Sequence, residues 1–403
     1  MRIRDLRSRV VAVPIKKSTY VSGLNEELFR IAVIVELFTD EGYVGLGEAV
    51  PPVDVEATKR IIDSAKRLLV GEEVFNLEPL KKKVYAYYNL SHLHLHAANW
   101  ALNAVDMALW DLIGKSCSQP LYKVWGGAFR KKIPYYGAIQ RSTVENVARQ
   151  AEDLVKRGFK TLYLKVGLDE KEDLECVKAI REAVGYGDVK VRLDANQAWS
   201  PGKAIKMINK LSKYEIEFID QPVLMYNLDA MARVRRAVDV PIAAHESSWT
   251  FYEVLNVIKK EAADIIHIDP RFDAGFTGAR ISAGIAEAAG LPVVMHSFHE
   301  LGIAQCAYMH LIASCPNFVY ANQTAYDDLL DDVIEGGPLK FKDGCMEVPE
   351  RSGIGVELDE EKVKEYQKLY EEVRSKLTKK FSKYQLMSYR SFFKSEDYEK
   401  GLK

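Results

Sequence analysis

The stretch VKVRLDANQAWSPGKAIKMINKLSKYEIEFID (189–220) decides the fold. It opens on a short run of alternating apolar residues, passes through an amphipathic segment with apolar residues three and four apart, and closes on a second apolar run. The first spacing belongs to a strand and the second to a helix. A strand joined through a helix to another strand is a parallel βα unit. The motif recurs in both directions: IPYYGAI (133–139) and TLYLKV (161–166) lie upstream, and VPIAA (240–244), DIIHID (264–269), LPVVMH (291–296) and NFVYA (317–321) lie downstream. Amphipathic segments such as VENVARQAEDLVKRG (144–158) and LECVKAIREAVG (174–185) separate them. The spacing predicts eight strands alternating with helices, and eight is the number that closes a barrel.

Outside this region the rhythm changes. RIAVIVELFTDEGYVGLGEAV (30–50) alternates around Asp40-Glu41-Gly42, which predicts a hairpin in an antiparallel sheet. After Pro51-Pro52 the period becomes helical, through VEATKRIIDSAKRLLVG (55–71) and HAANWALNAVDMALWDLIGK (96–115), until Pro120 and Gly126-Gly127 break it. We therefore expect an α+β domain over residues 1–130, the barrel over 131–330, and a segment over 331–403 that returns to the first domain and ends in a Lys/Glu-rich helical tail.

The 403 residues carry 56 Lys plus Arg against 57 Asp plus Glu, a net charge of -1, with no basic stripe of the kind phosphate contacts require. A hydrophobic share of 48% excludes a disordered chain. No run approaches the length of a membrane helix, and MRIRDLRSRVVAVPIKK (1–17) is too weakly apolar for a signal peptide. The five scattered cysteines fit reduced thiols in a cytoplasmic protein. The sequons at Asn89 and Asn322 are then coincidental. The expected partner is a small-molecule carboxylate, not a nucleic acid or a membrane, in a homo-oligomer.

In a barrel of this kind chemistry is found at the C-terminal ends of the strands. Those positions hold Lys165, Asp194, Asp220, Glu246, Asp269 and His296, each 23 to 29 residues after the one before. An isolated carboxylate there would be read as a cap or an ion pair, and an isolated histidine as part of the core. Six polar groups in register are too costly to bury without a shared purpose. Asp194, Asp220 and Glu246 on successive strands offer the all-oxygen ligation that suits Mg²⁺. Asp269, one strand before His296, can hold one ring nitrogen and set the basicity of the other.

These residues sit in longer motifs: DEGYVGLGEAVP (40–51), ALNAVDMALWDLIGKSCSQPLYKVWGG (101–127), RLDANQAW (192–199), IDQP (219–222), HES (245–247), DPRFDAGFTG (269–278) and GLPVVMHSFHE (290–300). Together they resemble the enolase superfamily, and within it the mandelate racemase and muconate lactonising group, over nearly the whole chain. The resemblance implies an α/β fold, a (β/α)7β modified TIM barrel beneath an α+β capping domain. It implies one Mg²⁺ per chain on Asp194, Asp220 and Glu246, with Lys165 and His296 as acid/base groups on opposite substrate faces and Asp269 orienting His296, as in the mandelate racemase-like subgroup. The implied chemistry is removal of the proton α to a carboxylate. Dehydration of a hydroxy acid or acid sugar to a 2-keto acid leads. Racemisation or epimerisation of a 2-hydroxy or amino acid derivative is the alternative, and an inactive carboxylate-binding relative comes third.

The sequence departs from the family pattern in several places. Tyr163 replaces the first lysine of K-x-K, so Lys165 relies on the metal and on desolvation, or Tyr163 itself takes part in proton transfer. Asp220 replaces a glutamate with a shorter reach. His245 stands where many relatives have aspartate, either behind the ligands or against the substrate. Tyr320 or Asn322 would meet the substrate carboxylate where the subgroup can place a glutamate. Asp269 stands where muconate lactonising enzymes and dipeptide epimerases carry a lysine, which makes those activities minor candidates. Asn196 is a further expected substrate contact. So is Tyr20, in a specificity loop over about 16–27 that also holds Ser18, Thr19, Ser22 and Asn25 and fits a small, partly hydroxylated substrate. His92, His94 and His96 read as helix-entry or surface residues, and GFTG (275–278) as a backbone anion site at most.

Overall fold

The computed structural model describes residues 1–16, 29–50, 54–87 and 96–374. Tyr20 and its loop, the Asn89 sequon, His92 and His94, the side chain of His96 and the tail beyond 374 lie outside the described residues.

The first domain opens with β1 (Ile3–Pro14), β2 (Phe29–Thr39) and β3 (Val44–Ala49), an antiparallel sheet in which Leu6 faces Leu37 and Glu36 faces Leu46. Three helices cover it: α1 (Val55–Leu69), α2 (Leu77–Tyr87) and α3 (His96–Ser116). Asp54 starts α1 by accepting from the Ala57 amide at 2.7 Å, an ordinary N-cap. Gly47 lets α3 lie directly on β3, because a Cβ there would stand 1.8 Å from the Ala104 carbonyl oxygen. A short α4 (Leu121–Val124) and β4 (Lys132–Pro134) lead into the barrel.

Seven barrel strands run parallel in sequence order: β5 (Gly137–Ile139), β6 (Thr161–Lys165), β7 (Lys190–Asp194), β8 (Ile216–Asp220), β9 (Ile242–Ala244), β10 (Ile265–Ile268) and β11 (Val293–Met295). The helices α5 (Val144–Lys156), α6 (Glu170–Val184), α7 (Pro201–Leu211), α8 (Leu228–Arg236), α9 (Phe251–Lys259), α10 (Phe276–Ala288) and α11 (Gly302–Ser314) connect and cover them. The eighth predicted strand, NFVYA, is irregular. Its neighbourhood still closes the ring, through Gln323 N–H to the Met295 carbonyl at 3.1 Å and Tyr136 N–H to the Asn322 carbonyl at 3.1 Å. The Asn322 side chain substitutes for a ladder, its Oδ1 accepting from the Met295 amide at 2.9 Å.

The capping domain is fastened to the barrel by buried polar side chains. Glu48 of β3 accepts from the Leu301 and Ala304 amides at the start of α11, at 2.6 and 2.9 Å. Asp106 of α3 accepts from the Phe276 amide at the start of α10 at 2.7 Å. Arg30 of β2 donates to the Glu300 and Ala325 carbonyls, both at 3.0 Å. After β12 (Cys345–Glu347), which pairs with β4, the chain returns in α12 (Glu360–Val373), where Glu360 meets Arg9 of β1 at 2.8 Å. Among the described residues no helix is long and apolar enough to cross a membrane.

Candidate active site

A cavity of about 490 Å³ opens at the C-terminal ends of the barrel strands. Lys165, Asn196, His245, Glu246 and His296 line its floor, and Trp100, Trp249, Phe272 and Phe298 form an aromatic wall. Period-2 alternation explains the floor. Tyr163 and Lys165 on β6, Arg192 and Asp194 on β7, and Phe218 and Asp220 on β8 share the inward face of their strands, so each strand end presents its last residue to the axis.

Asp194 and Asp220 are fully buried beneath the cavity. Asp194 Oδ2 accepts hydrogen bonds from the Tyr163 hydroxyl and from the Lys165 ammonium at 3.2 Å, while Oδ1 accepts from the Asn196 backbone amide at 2.6 Å. Burial alone would raise its pKa, but Lys165, His245 and these donors outweigh burial and hold it at about 2. Asp220 is pushed up to about 7 by burial and by the charge of Asp194, although His267 Nε2 contacts its Oδ1 at 2.6 Å. Glu246 is raised by burial, and its Oε1 accepts from Asn196 and from Gln197 at 3.0 Å.

No three His, Cys, Asp or Glu side chains among the described residues stand close enough together to hold a metal as they are placed. The donor chemistry nevertheless fits a divalent cation. Asp220 Oδ2, Glu246 Oε2 and both nitrogens of His245 are buried without a hydrogen-bond partner, and three carboxylates crowd one ammonium. Orphaned buried oxygens of this kind are costly unless an ion or water completes them.

On the far side of the floor His296 Nδ1 meets Asp269 Oδ2 at 2.6 Å. Burial pushes His296 down to about 4, opposed by the Asp269 hydrogen bond. Asp269 is held well below the usual carboxylate range, because the Arg271 guanidinium and His296 overcome its burial. Arg271 grips Asp269 with two donors, at 2.9 and 2.6 Å, and reaches Glu300 at 2.8 Å. Neither Arg271 nor His267 was anticipated. His267 was readable, since it lies two residues before Asp269 on the same strand face. Arg271 lies in a loop, where alternation ends.

The structure brings Lys165, Asp194, Asp220, Glu246, Asp269 and His296 together, with Asn196 and His245 among them. It places Tyr320 and Asn322 elsewhere, and Tyr163 beneath the cluster with its hydroxyl bonded to Asp194. Tyr163 is buried under Asp194 with its ring stacked on Tyr136 at 4.4 Å, and does not line the cavity. Tyr320 packs edge-on against Phe218 at 5.4 Å, and Asn322 spends its amide on the backbone, so neither reaches the cavity as expected. Gln323 and Thr324 face it instead.

Two family models match the chain: the enolase C-terminal domain-like family over residues 146–362, and the mandelate racemase / muconate lactonizing enzyme N-terminal domain over residues 8–126. A hydrophobic dipeptide epimerase from Enterococcus faecalis is 32% identical, over 88% of this chain and 99% of its own length. An arabinonate dehydratase from Saccharolobus solfataricus is 31% identical, over 86% and 93%. An N-succinyl-L-Arg/Lys racemase from Bacillus cereus is 27% identical, over 91% and 98%. The crystal structure of the E. faecalis dipeptide epimerase with Mg and L-Leu-L-Tyr superposes with a TM-score of 0.81 at 30% identity, covering 88% of this chain and 99% of that one.

Proposed function

Because the chain belongs to the mandelate racemase and muconate lactonising group of the enolase superfamily, we propose that its cavity removes the proton α to a carboxylate from a small substrate. The observation that carries this reading is that Lys165 at the end of β6 and His296 just after β11 line one cavity, with His296 anchored on Asp269 at 2.6 Å. Asp194, Asp220 and Glu246 would hold the metal. When bound, Mg²⁺ supplies Lewis-acid stabilisation of the negative charge that develops as the proton leaves. His296 with Nδ1–H donated to Asp269 keeps Nε2 bare for a proton, the arrangement of an oriented general base. Lys165 stands ready with an ammonium proton on the opposite face.

On a 2,3-dihydroxy acid, one group takes the proton from C2 while the other protonates the departing oxygen on C3. The C–H and C–O bonds break, water leaves, and the enol tautomerises to a 2-keto acid. This dehydration is the leading reading, in keeping with the relative named as an arabinonate dehydratase. On a substrate with no β-hydroxyl the same pair would remove a proton from one face and return one to the other. The aromatic wall favours this epimerisation for substrates with an apolar side chain, as do the relatives named as epimerase and racemase.

The test is incubation in D₂O with Mg²⁺ and a panel of acid sugars, hydroxy acids, N-acyl amino acids and dipeptides. A 2-keto product marks dehydration, and α-deuteration without a ketone marks epimerisation. Lys165→Ala and His296→Asn should each lose turnover. A wild-type protein that exchanges no panel member would leave only a carboxylate binder.

A further inference from the structure

His245 is a buried polar side chain that the proposed proton chemistry does not use. Its side chain is 6% exposed and it lines the cavity floor, yet neither ring nitrogen has a hydrogen-bond partner. The orphaned state is not for want of neighbours: Nδ1 stands 3.9 Å from Asp194 Oδ2 and 3.7 Å from Glu246 Oε2, too far to bond either. Two donor atoms at about 2.1 Å from one octahedral ion are about 3 Å apart when adjacent and about 4.2 Å apart when opposite. At 3.9 and 3.7 Å the two pairs stand wider than adjacent ligands and closer than opposite ones, so a side-chain shift of under about 1 Å would bring either to the adjacent spacing. Glu246 Oε2 is itself an orphan, as is Asp220 Oδ2.

The ring is also held in place. It stacks on His267 at 4.4 Å and 26°, and His267 in turn is pinned on Asp220 at 2.6 Å. Trp249 closes the other side edge-on at 5.1 Å. Stacking fixes the ring plane here, in place of the hydrogen bond that metal-ligating histidines usually make through their second nitrogen.

We infer that His245 is a nitrogen ligand of the cation held by the three carboxylates, and that it moves the site's preference from Mg²⁺ toward a divalent transition ion. This rests on the reading of Asp194, Asp220 and Glu246 as a metal site. The chemistry is that of ligand softness: an all-oxygen set suits Mg²⁺, whereas an imidazole nitrogen favours the later first-row ions.

The test uses the full-length protein, loaded with Mn²⁺ for pulsed EPR of ¹⁴N coupling and titrated calorimetrically with Co²⁺ in competition against Mg²⁺. Wild type should show the coupling of one imidazole. His245→Asp, which offers oxygen in its place, should keep Mn²⁺, lose the coupling, and lose at least about tenfold in Co²⁺-over-Mg²⁺ selectivity. His245→Asn should likewise lose the coupling and serves if the aspartate variant does not fold. Mn²⁺ bound to wild type without nitrogen coupling, or coupling that persists in both variants, overturns the assignment of His245 and leaves the carboxylate site standing. No Mn²⁺ binding to wild type overturns both.

Discussion

Replacing Arg271 with methionine tests the electrostatic frame of the proposed base. The guanidinium is 1% exposed and lies between two carboxylates as deeply buried, Asp269 and Glu300. Removing one partner of a buried ion pair costs about 3–5 kcal/mol, because the surviving charge is left without water or counter-ion. Here the survivors keep some support. Asp269 retains the backbone amide of residue 271 at 2.9 Å and His296 at 2.6 Å, and Glu300 retains the Phe298 amide at 2.9 Å. Methionine also fills much of the space over the Trp100 ring, which the guanidinium covers at 4.7 Å. The expected loss is therefore near the lower bound, about 3 kcal/mol. A second effect falls on His296. Burial holds its pKa near 4, Asp269 raises it and Arg271 lowers it, so removing Arg271 moves it upward. Urea unfolding reports the first quantity and a ¹³C-histidine NMR titration the second. A loss below about 1 kcal/mol together with an unmoved His296 resonance would refute the reasoning.

Three further perturbations follow from the geometry. His310, fully buried, faces the Tyr122 amide with Nδ1 at 3.3 Å and the Ile354 carbonyl with Nε2 at 3.1 Å, an arrangement made for the neutral ring. Burial lowers its pKa from 6.5 to about 4, so the unfolded chain binds the extra proton first; its contribution is complete above pH 6.5 and lost as pH falls toward 4. His310→Gln should flatten stability against pH in that window by up to about 1.4 kcal/mol per unit, and an unchanged slope in acid denaturation curves counts against the assignment. Gly275→Ala should cost roughly 2–4 kcal/mol in thermal unfolding, through a positive φ and overpacking. At that position φ is +110° and the new Cβ would stand 2.1 Å from Asp106 Oδ2; a loss under 1 kcal/mol would show that the cap interface yields. Tyr163→Phe removes a donor from Asp194 and should weaken divalent-cation binding about tenfold in calorimetry. A loss of α-proton exchange at saturating metal would instead return Tyr163 to the proton path.

The barrel was legible because its two periodicities are local. Once strands are placed, the rule that chemistry lies at their C-terminal ends delivers Lys165 through His296 without further information. The eighth strand misled because NFVYA has the composition of a strand. Val319 is nevertheless two-thirds exposed, and Asn317 and Asn322 bond the backbone with their side chains, which competes with a ladder. Reading Tyr320 and Asn322 as substrate contacts assumed a regular strand that is not there. The aromatic wall escaped for a different reason. Trp100 comes from α3 of the capping domain, and Trp249, Phe272 and Phe298 come from three barrel loops, so only the tertiary structure puts them together.

Glu48 and Asp106 have a consequence for how this chain acquires its structure. Two barrel helices begin on backbone amides whose acceptors belong to another domain. A barrel without β3 and α3 would lose those acceptors and leave the first amides of α10 and α11 to water, taking from each helix the side-chain anchor of its N-terminus. The two domains are thus not separate folding units with a seam between them. They should unfold in one cooperative transition, with the barrel's last two helices reaching native order only when the N-terminal sheet and α3 are in place.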